Sequence, residues 1–352
     1  MVGAIEEVED PRQVVRRDPC AGIPTASLVE CEHTGVTPAQ YGDGVHTNNI
    51  IQCVSGQCGQ VIEGNSQLKP EVATTWSLGL TLTPTALPGF SASVDYYHIK
   101  LEDEIGTYPF AVILNGCLVN DNPIYCSQIV RTPAGSLAGA TVQGGGYFLQ
   151  QDYNLGLTII SGFDVGMNYR HALPWGSLST TLNGAYLWHS TETPYPGSGS
   201  FDCAGLFGST CNSTTQGSVN PRWRHTLRVT WETPLDLLLS AQWRFIGPTT
   251  FDNNSTNPLL QGAEEGAAGS NEPFPYYDQY NARIPGYNYL DLSAVWHVMK
   301  ELDLRFGVNN VLDKDPPLVP SYDITANSGP ANSFPAYDYL GREVFVAFTA
   351  KF

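Results

Sequence analysis

The chain has 352 residues, with 17 Lys and Arg against 34 Asp and Glu, and a formal net charge of −17. Its 35 Gly and 25 Pro make it too rich in chain breakers for a helical protein, and its acidity leaves no surface to release phosphate counterions. No run approaches the roughly 20 apolar residues of a spanning helix, so a helical membrane protein and a nucleic-acid binder are both excluded.

The opening segment, Met1 to Asp18, carries acids and prolines without an apolar core and does not read as a signal peptide. Eight cysteines then fall as sequence neighbours: Cys20 and Cys31, Cys53 and Cys58, Cys117 and Cys126, Cys203 and Cys211. The gaps are short and their surroundings polar and Gly-rich, as for local disulfides in an oxidising compartment. Free thiols and zinc are the alternatives. Zinc prefers closely spaced Cys steps with a second pair or histidines nearby, and only Cys53-Val-Ser-Gly-Gln-Cys58 comes near that pattern.

Period-two alternation begins after these early loops and predicts nine strands, over residues 74–82, 90–101, 155–170, 178–188, 223–231, 235–245, 289–296, 302–309 and 341–352. In the sixth, Leu235, Leu237, Leu239, Ala241, Trp243 and Phe245 alternate with polar residues that include Asp236, Ser240, Gln242 and Arg244. Alternate side chains of a strand point to opposite faces, so one face is apolar and the other wet. Leu237, Leu239, Trp243, Leu292, Phe306, Phe348 and Phe352 are expected on the convex face. Asp164, Arg228, Arg244, Asp291 and Arg305 are expected on the concave, lumen-facing side. Many of these runs have the roughly 9–11 residues that a tilted strand needs to cross a bilayer.

The connections alternate in length. Short ones lie at 84–89, 172–176, 233–234 and 297–301; long ones span 106–154, 190–222, 247–288 and 313–340. Outer-membrane barrels pair short periplasmic turns with long external loops in this way. Trp76, Tyr96, Trp188, Trp243 and Trp296 sit mostly near strand ends on the apolar face, where an interfacial girdle or a soluble core would each place them. The expected fold is therefore all-β: an antiparallel transmembrane barrel portion of about nine strands, an open curved sheet with long external loops. Its edge strands, near 74–82 and 341–352, are expected to be incompletely paired.

Several motifs carry a family resemblance. Gln67-Leu-Lys-Pro-Glu71 with Thr75-Trp76 and Gly79, then Pro88-Gly-Phe-Ser-Ala-Ser-Val-Asp-Tyr-Tyr97 with Ile99 and Glu104-Ile105, resemble successive strands of TonB-dependent receptors. Gly162-Phe-Asp-Val-Gly166, Asn220-Pro-Arg-Trp-Arg224 and Gly307-Val-Asn-Asn-Val-Leu-Asp-Lys-Asp-Pro316 resemble later ones, in the right order, and an alternating last strand ending in Phe352 resembles the terminal signature of outer-membrane barrels. The resemblance covers residues 67–352 and implies a carboxy-terminal barrel portion of such a receptor in the bacterial outer membrane. It implies outer-membrane lipid, TonB, a plug domain and a small-molecule substrate as partners, and the barrel-assembly machinery acting through the terminal strand. The family has about 22 strands closed around a plug. With nine strands read, and neither plug nor TonB box found, the chain is expected to be a fragment that does not support energised uptake alone. Residues 1–66 are expected to be an external loop region left by truncation.

No catalytic constellation is present, neither a nucleophile elbow, a His-Glu-x-x-His zinc helix nor a phosphate-binding loop. No catalytic residue, metal site or cofactor is expected. The acidic clusters Glu264-Glu265 and Asp313-Lys-Asp315 read as solvated loops. Binding is expected at two aromatic and acidic stretches of the long loops, through Phe274, Tyr276, Tyr277 and Tyr280 and through Phe334, Tyr337 and Tyr339, which would otherwise pack the loops together. The functional expectation is uptake of a scarce iron chelate, cobalamin or saccharide; the alternatives are a passive porin-like channel and a secreted all-β binding protein.

Overall fold

Alternation is a local property, and it is realised here strand by strand. The computed structural model describes residues 18–53, 58–138, 145–208, 210–211, 219–260, 263–264, 276–277, 282–318 and 334–350, and the statements below concern these. The main strands are β1 (Val72–Leu82), β2 (Phe90–Gly106), β3 (Tyr153–Leu173), β4 (Gly176–Thr193), β5 (Trp223–Glu232), β6 (Leu237–Ile246), β7 (Tyr287–Met299), β8 (Leu302–Asn309) and β9 (Glu343–Ala350). They pair in strict sequence order as an antiparallel meander, and the short strand Phe201–Asp202 adds beside β4. The sheet is not closed. β1 and β9 are its two ends, and all their residues are exposed.

All nine expected strands are present, most with longer reach than the alternation alone indicated. β3 has 21 residues and β4 has 18, far beyond the about 5–6 typical of soluble sheets. Two boundaries are corrected: the last strand was expected from Gly341, but β9 begins at Glu343 because Gly341 adopts a left-handed φ of 68°. Leu235 was expected in the sixth strand, but β6 begins at Leu237, because Asp236 adopts a left-handed φ of 54° and turns the chain. A short polar side chain tolerates that conformation where most residues do not, and Leu235 is left 77% exposed. The short and long connections otherwise alternate as expected.

The chain divides into two compact units, Met1–Glu71 with Asp103–Gly156, and Val72–Glu102 with Leu157–Phe352. The second holds the body of the sheet. The first is a small disulfide-rich unit in which the expected loop 106–154 contains regular structure. Helix Leu28–His33 starts at a capping box, Ser27 accepting from the Glu30 amide while Glu30 accepts from that of Ser27. Thr37 and Gln40 repeat the device for Pro38–Tyr41, and Asn122 caps Pro123–Cys126. Phe110–Leu118 supplies Ile113, Leu114 and Leu118 to a core shared with Val36, Ile50, Leu137 and Phe148. A three-stranded sheet of Gln60–Glu63, Tyr147–Gln151 and Ile129–Val130 completes the unit.

All four cysteine pairs are bridged between sequence neighbours. Cys20–Cys31, Cys53–Cys58 and Cys117–Cys126, with Cα separations of 5.7, 4.8 and 4.8 Å, staple the first unit. Cys203–Cys211, at 5.4 Å, closes a loop of the second. No cysteine among the described residues is free. In the chain-entropy account, closing loops this short is worth about 2–3 kcal/mol each. The first unit is further held by Arg131, which donates to both Asp18 carboxylate oxygens (2.5 and 3.0 Å) and to the Gly135 and Thr34 carbonyls. This ion pair is almost wholly removed from solvent.

Candidate functional site

Strand register sorts the side chains of the second unit into rows of opposite character. Asn168 pairs Thr181, Thr181 pairs Arg228, Arg228 pairs Gln242 and Gln242 pairs Asp291, a polar row across β3 to β7. The adjacent row is Met167, Leu182, Leu227, Trp243 and Leu290, all apolar and on the other face. Slipping any strand by one residue would mix the two.

The polar row is wired together. Arg228 donates to Gln242 Oε1 (3.0 Å from Nε), and Gln242 donates to Asp291 Oδ2 at 3.1 Å. Arg244, one residue pair further along, grips two carboxylates at once. It donates to Asp291 at 2.7 and 3.0 Å, and to Asp338 at 3.0 and 2.6 Å. Its guanidinium carbon lies 4.8 Å from the centre of the Tyr289 ring. The Asn310 amide also donates to Asp291, at 2.9 Å, so that carboxylate accepts from three residues, two on β6 and one just after β8. Asp338 belongs to the last long loop, and the double fork therefore ties that loop to β6 and β7. Planar guanidinium geometry suits such bidentate contacts, which lysine would not reproduce.

Of the residues expected to face a lumen, Arg228, Arg244 and Asp291 thus lie together. Asp164 and Arg305 share their face by register, but neither has an ion-pair partner among the described residues. Phe334 and Tyr337, expected as ligand contacts, are 0% and 2% exposed and pack with Phe207, Phe251, Tyr287 and Tyr289. Their aromatic surface is spent on anchoring the loop. Burial, with Tyr289 and Tyr287 nearby, holds the Tyr337 hydroxyl well above the ordinary phenol range. Tyr339 is half-buried beside them. Phe274 and Tyr280 lie outside the described residues, while the backbone of Tyr276–Tyr277 pairs in parallel with Ala263–Glu264. Phe352 also lies outside them.

The apolar face carries a run of rings from strand to strand. Trp76 on β1 meets Tyr96 on β2 (5.1 Å), Tyr96 meets Phe163 on β3 (5.2 Å), and Phe163 stacks with Trp188 on β4 (5.7 Å). Trp76, Trp188, Trp243 and Trp296 remain 53%, 44%, 40% and 45% exposed, more surface than a soluble core would leave to four indoles.

Sequence reading missed two ion-pair partners. Asp338 stands 94 residues from Arg244, and Asp18 stands 113 from Arg131. No spacing rule links residues so far apart. Asp338 had a weak local signal, its position between Tyr337 and Tyr339.

A family model described as TonB dependent receptor-like, beta-barrel matches residues 34–311. Among solved structures, a variant of the ferric enterobactin receptor PfeA from Pseudomonas aeruginosa is similar at 17% identity and a TM-score of 0.51, over 83% of this chain and 32% of that one. Another PfeA variant, in complex with enterobactin, is similar at 16% identity and 0.51, over 82% and 32%. The siderophore receptor PirA from Acinetobacter baumannii shows 13% identity and 0.47, over 88% and 34%. The chain spans about a third of the length of these receptors. A search of curated proteins gives no match.

Proposed function

The chain belongs to the TonB-dependent receptor-like β-barrel family, and from that premise we propose that it supplies wall strands of an outer-membrane transporter. The observation that carries this reading is the pair of adjacent rows, one polar and hydrogen-bonded from Arg228 to Asp291, the other apolar from Met167 to Leu290. A sheet of long strands with one greasy and one charged face suits lipid on one side and an aqueous lumen on the other. The exposed indoles of the apolar face suit the membrane interface. In this role Asp164, Arg228, Arg244, Asp291 and Arg305 face the lumen, and the disulfide-rich unit is part of the external loops. TonB and a plug domain are the partners that would couple such a wall to energy, with the barrel-assembly machinery inserting it. The activity is transport, and the substrate class is a scarce iron chelate, cobalamin or saccharide, bound from outside by the long loops.

The test is accumulation of labelled ferric chelates, cobalamin and oligosaccharides by cells expressing the full gene, in the presence and absence of TonB. TonB-dependent accumulation of one class is the expected result. Equal uptake of all small solutes, unaffected by loss of TonB or by a protonophore, would contradict it and indicate a passive channel.

A further inference from the structure

The polar face holds a cavity of about 630 Å³ within the second unit. Asp95 and Asp164 line it from β2 and β3, and Arg224 from β5, with Asn183 and Thr226 between. Asp95, Asp164 and Arg224 form no ion pair or side-chain hydrogen bond with any described residue, in contrast to Arg244, which lines the same cavity from β6 but is fully engaged by Asp291 and Asp338. The charges are sorted by position, carboxylates toward β2 and β3, the guanidinium toward β5.

Register fixes how far apart they stand. Asp164 pairs Ala185 on β4, and Ala185 pairs Arg224. Two interstrand steps separate the backbones by about 10 Å, and a small residue, Ala185, occupies the middle of the row. The floor is kept low by glycine. Gly166 lines the cavity, and a Cβ there would come within 2.9 Å of Ser93 Oγ.

We propose that this cavity is a binding subsite for a dipolar solute, whose ammonium group meets Asp95 and Asp164 while its anionic group meets Arg224. Opposite charges held across a low, small-residue floor favour a ligand bearing both signs at matching separation, and disfavour one bearing either alone. Arg224 offers a planar fork to a carboxylate. The inference rests on the transporter reading only for solute access to the polar face.

The probes are ε-aminocaproate, caproate and hexylamine, titrated calorimetrically at low ionic strength into the full receptor in detergent. The expected result is that ε-aminocaproate binds at least tenfold tighter than either singly charged analogue. Arg224→Gln lowers its affinity to that of hexylamine, Asp164→Asn lowers it to that of caproate, and Arg224→Lys retains part of the preference. Heat-dependent gel migration checks that each variant is folded. Equal binding of all three probes, no binding by folded protein, or a preference that survives both Arg224→Gln and Asp164→Asn would overturn the proposal. A receptor that takes up its substrate with TonB but fails this titration loses the subsite alone. One that shows the preference without TonB-dependent uptake loses the transporter reading alone.

Discussion

Asp252, in the loop between β6 and β7, has no exposed surface, and among the described residues only one of its carboxylate oxygens is engaged. Oδ2 accepts from the amides of Thr210 and Cys211 at 2.9 and 3.0 Å, beside the Cys203–Cys211 bridge, while Oδ1 has no hydrogen-bond partner among the described residues. Burial pushes the carboxyl up to about 6, against the pull of those amides. A folded value above the unfolded one means that the native loop favours the protonated form. Its stabilising contribution is fully present below about pH 4 and lost as pH rises through 6, on the order of 3 kcal/mol in all. Hydrogen exchange should show protection of the Thr210 and Cys211 amides, corrected for intrinsic rates, falling from about pH 4 to about pH 6.5 and level above that. Asp252→Asn should flatten that trend, and rising protection would contradict the assignment. Arg131 poses the opposite case, a buried charge with all its partners in place. Arg131→Met should cost about 3–5 kcal/mol because it strands Asp18, whereas pairing it with Asp18→Leu should recover most of the loss. Denaturant unfolding distinguishes the two, and equal losses in both variants would show that the ion pair itself is required.

At the level of the element, the two faces of one strand should respond differently to the same substitution. Leu239 lies on the apolar face of β6, and Ser240 shares a 2.8 Å hydrogen bond with Thr230 on the polar face. In protein folded into lipid vesicles, Leu239→Arg should cost about 2–4 kcal/mol if the residue lies near the bilayer midplane. Ser240→Arg should change stability little, and urea titration measures both. Equal penalties would remove the distinction between lipid and lumen. These faces were legible in the sequence because period two needs only neighbours, and the order of strands followed because each pairs with the next. Leu235 was misplaced because alternation continues through a turn that Asp236 ends by its backbone conformation. Phe334 and Tyr337 show a different limit. Aromatics beside a carboxylate serve binding or packing equally well in sequence, and only the fold around Phe207, Phe251 and Tyr287 reveals that these two pack. The Arg244 fork to Asp338 was illegible for want of any local spacing.

For the whole molecule, the central claim is that one face of this sheet of nine long strands meets lipid while the other meets water. The paired state of all eight cysteines makes the claim directly measurable, since an introduced cysteine is then the one free thiol of this chain. Single cysteines placed in turn from Leu238 to Phe245 on β6, in the receptor in outer membranes, should react with a membrane-impermeant maleimide in alternation. The account predicts strong labelling at Leu238, Ser240, Gln242 and Arg244, the residues in register with Val295, Ser293, Asp291 and Tyr289, and protection at Leu239, Ala241, Trp243 and Phe245. Uniform labelling along the strand, or protection of the first set in place of the second, would contradict it.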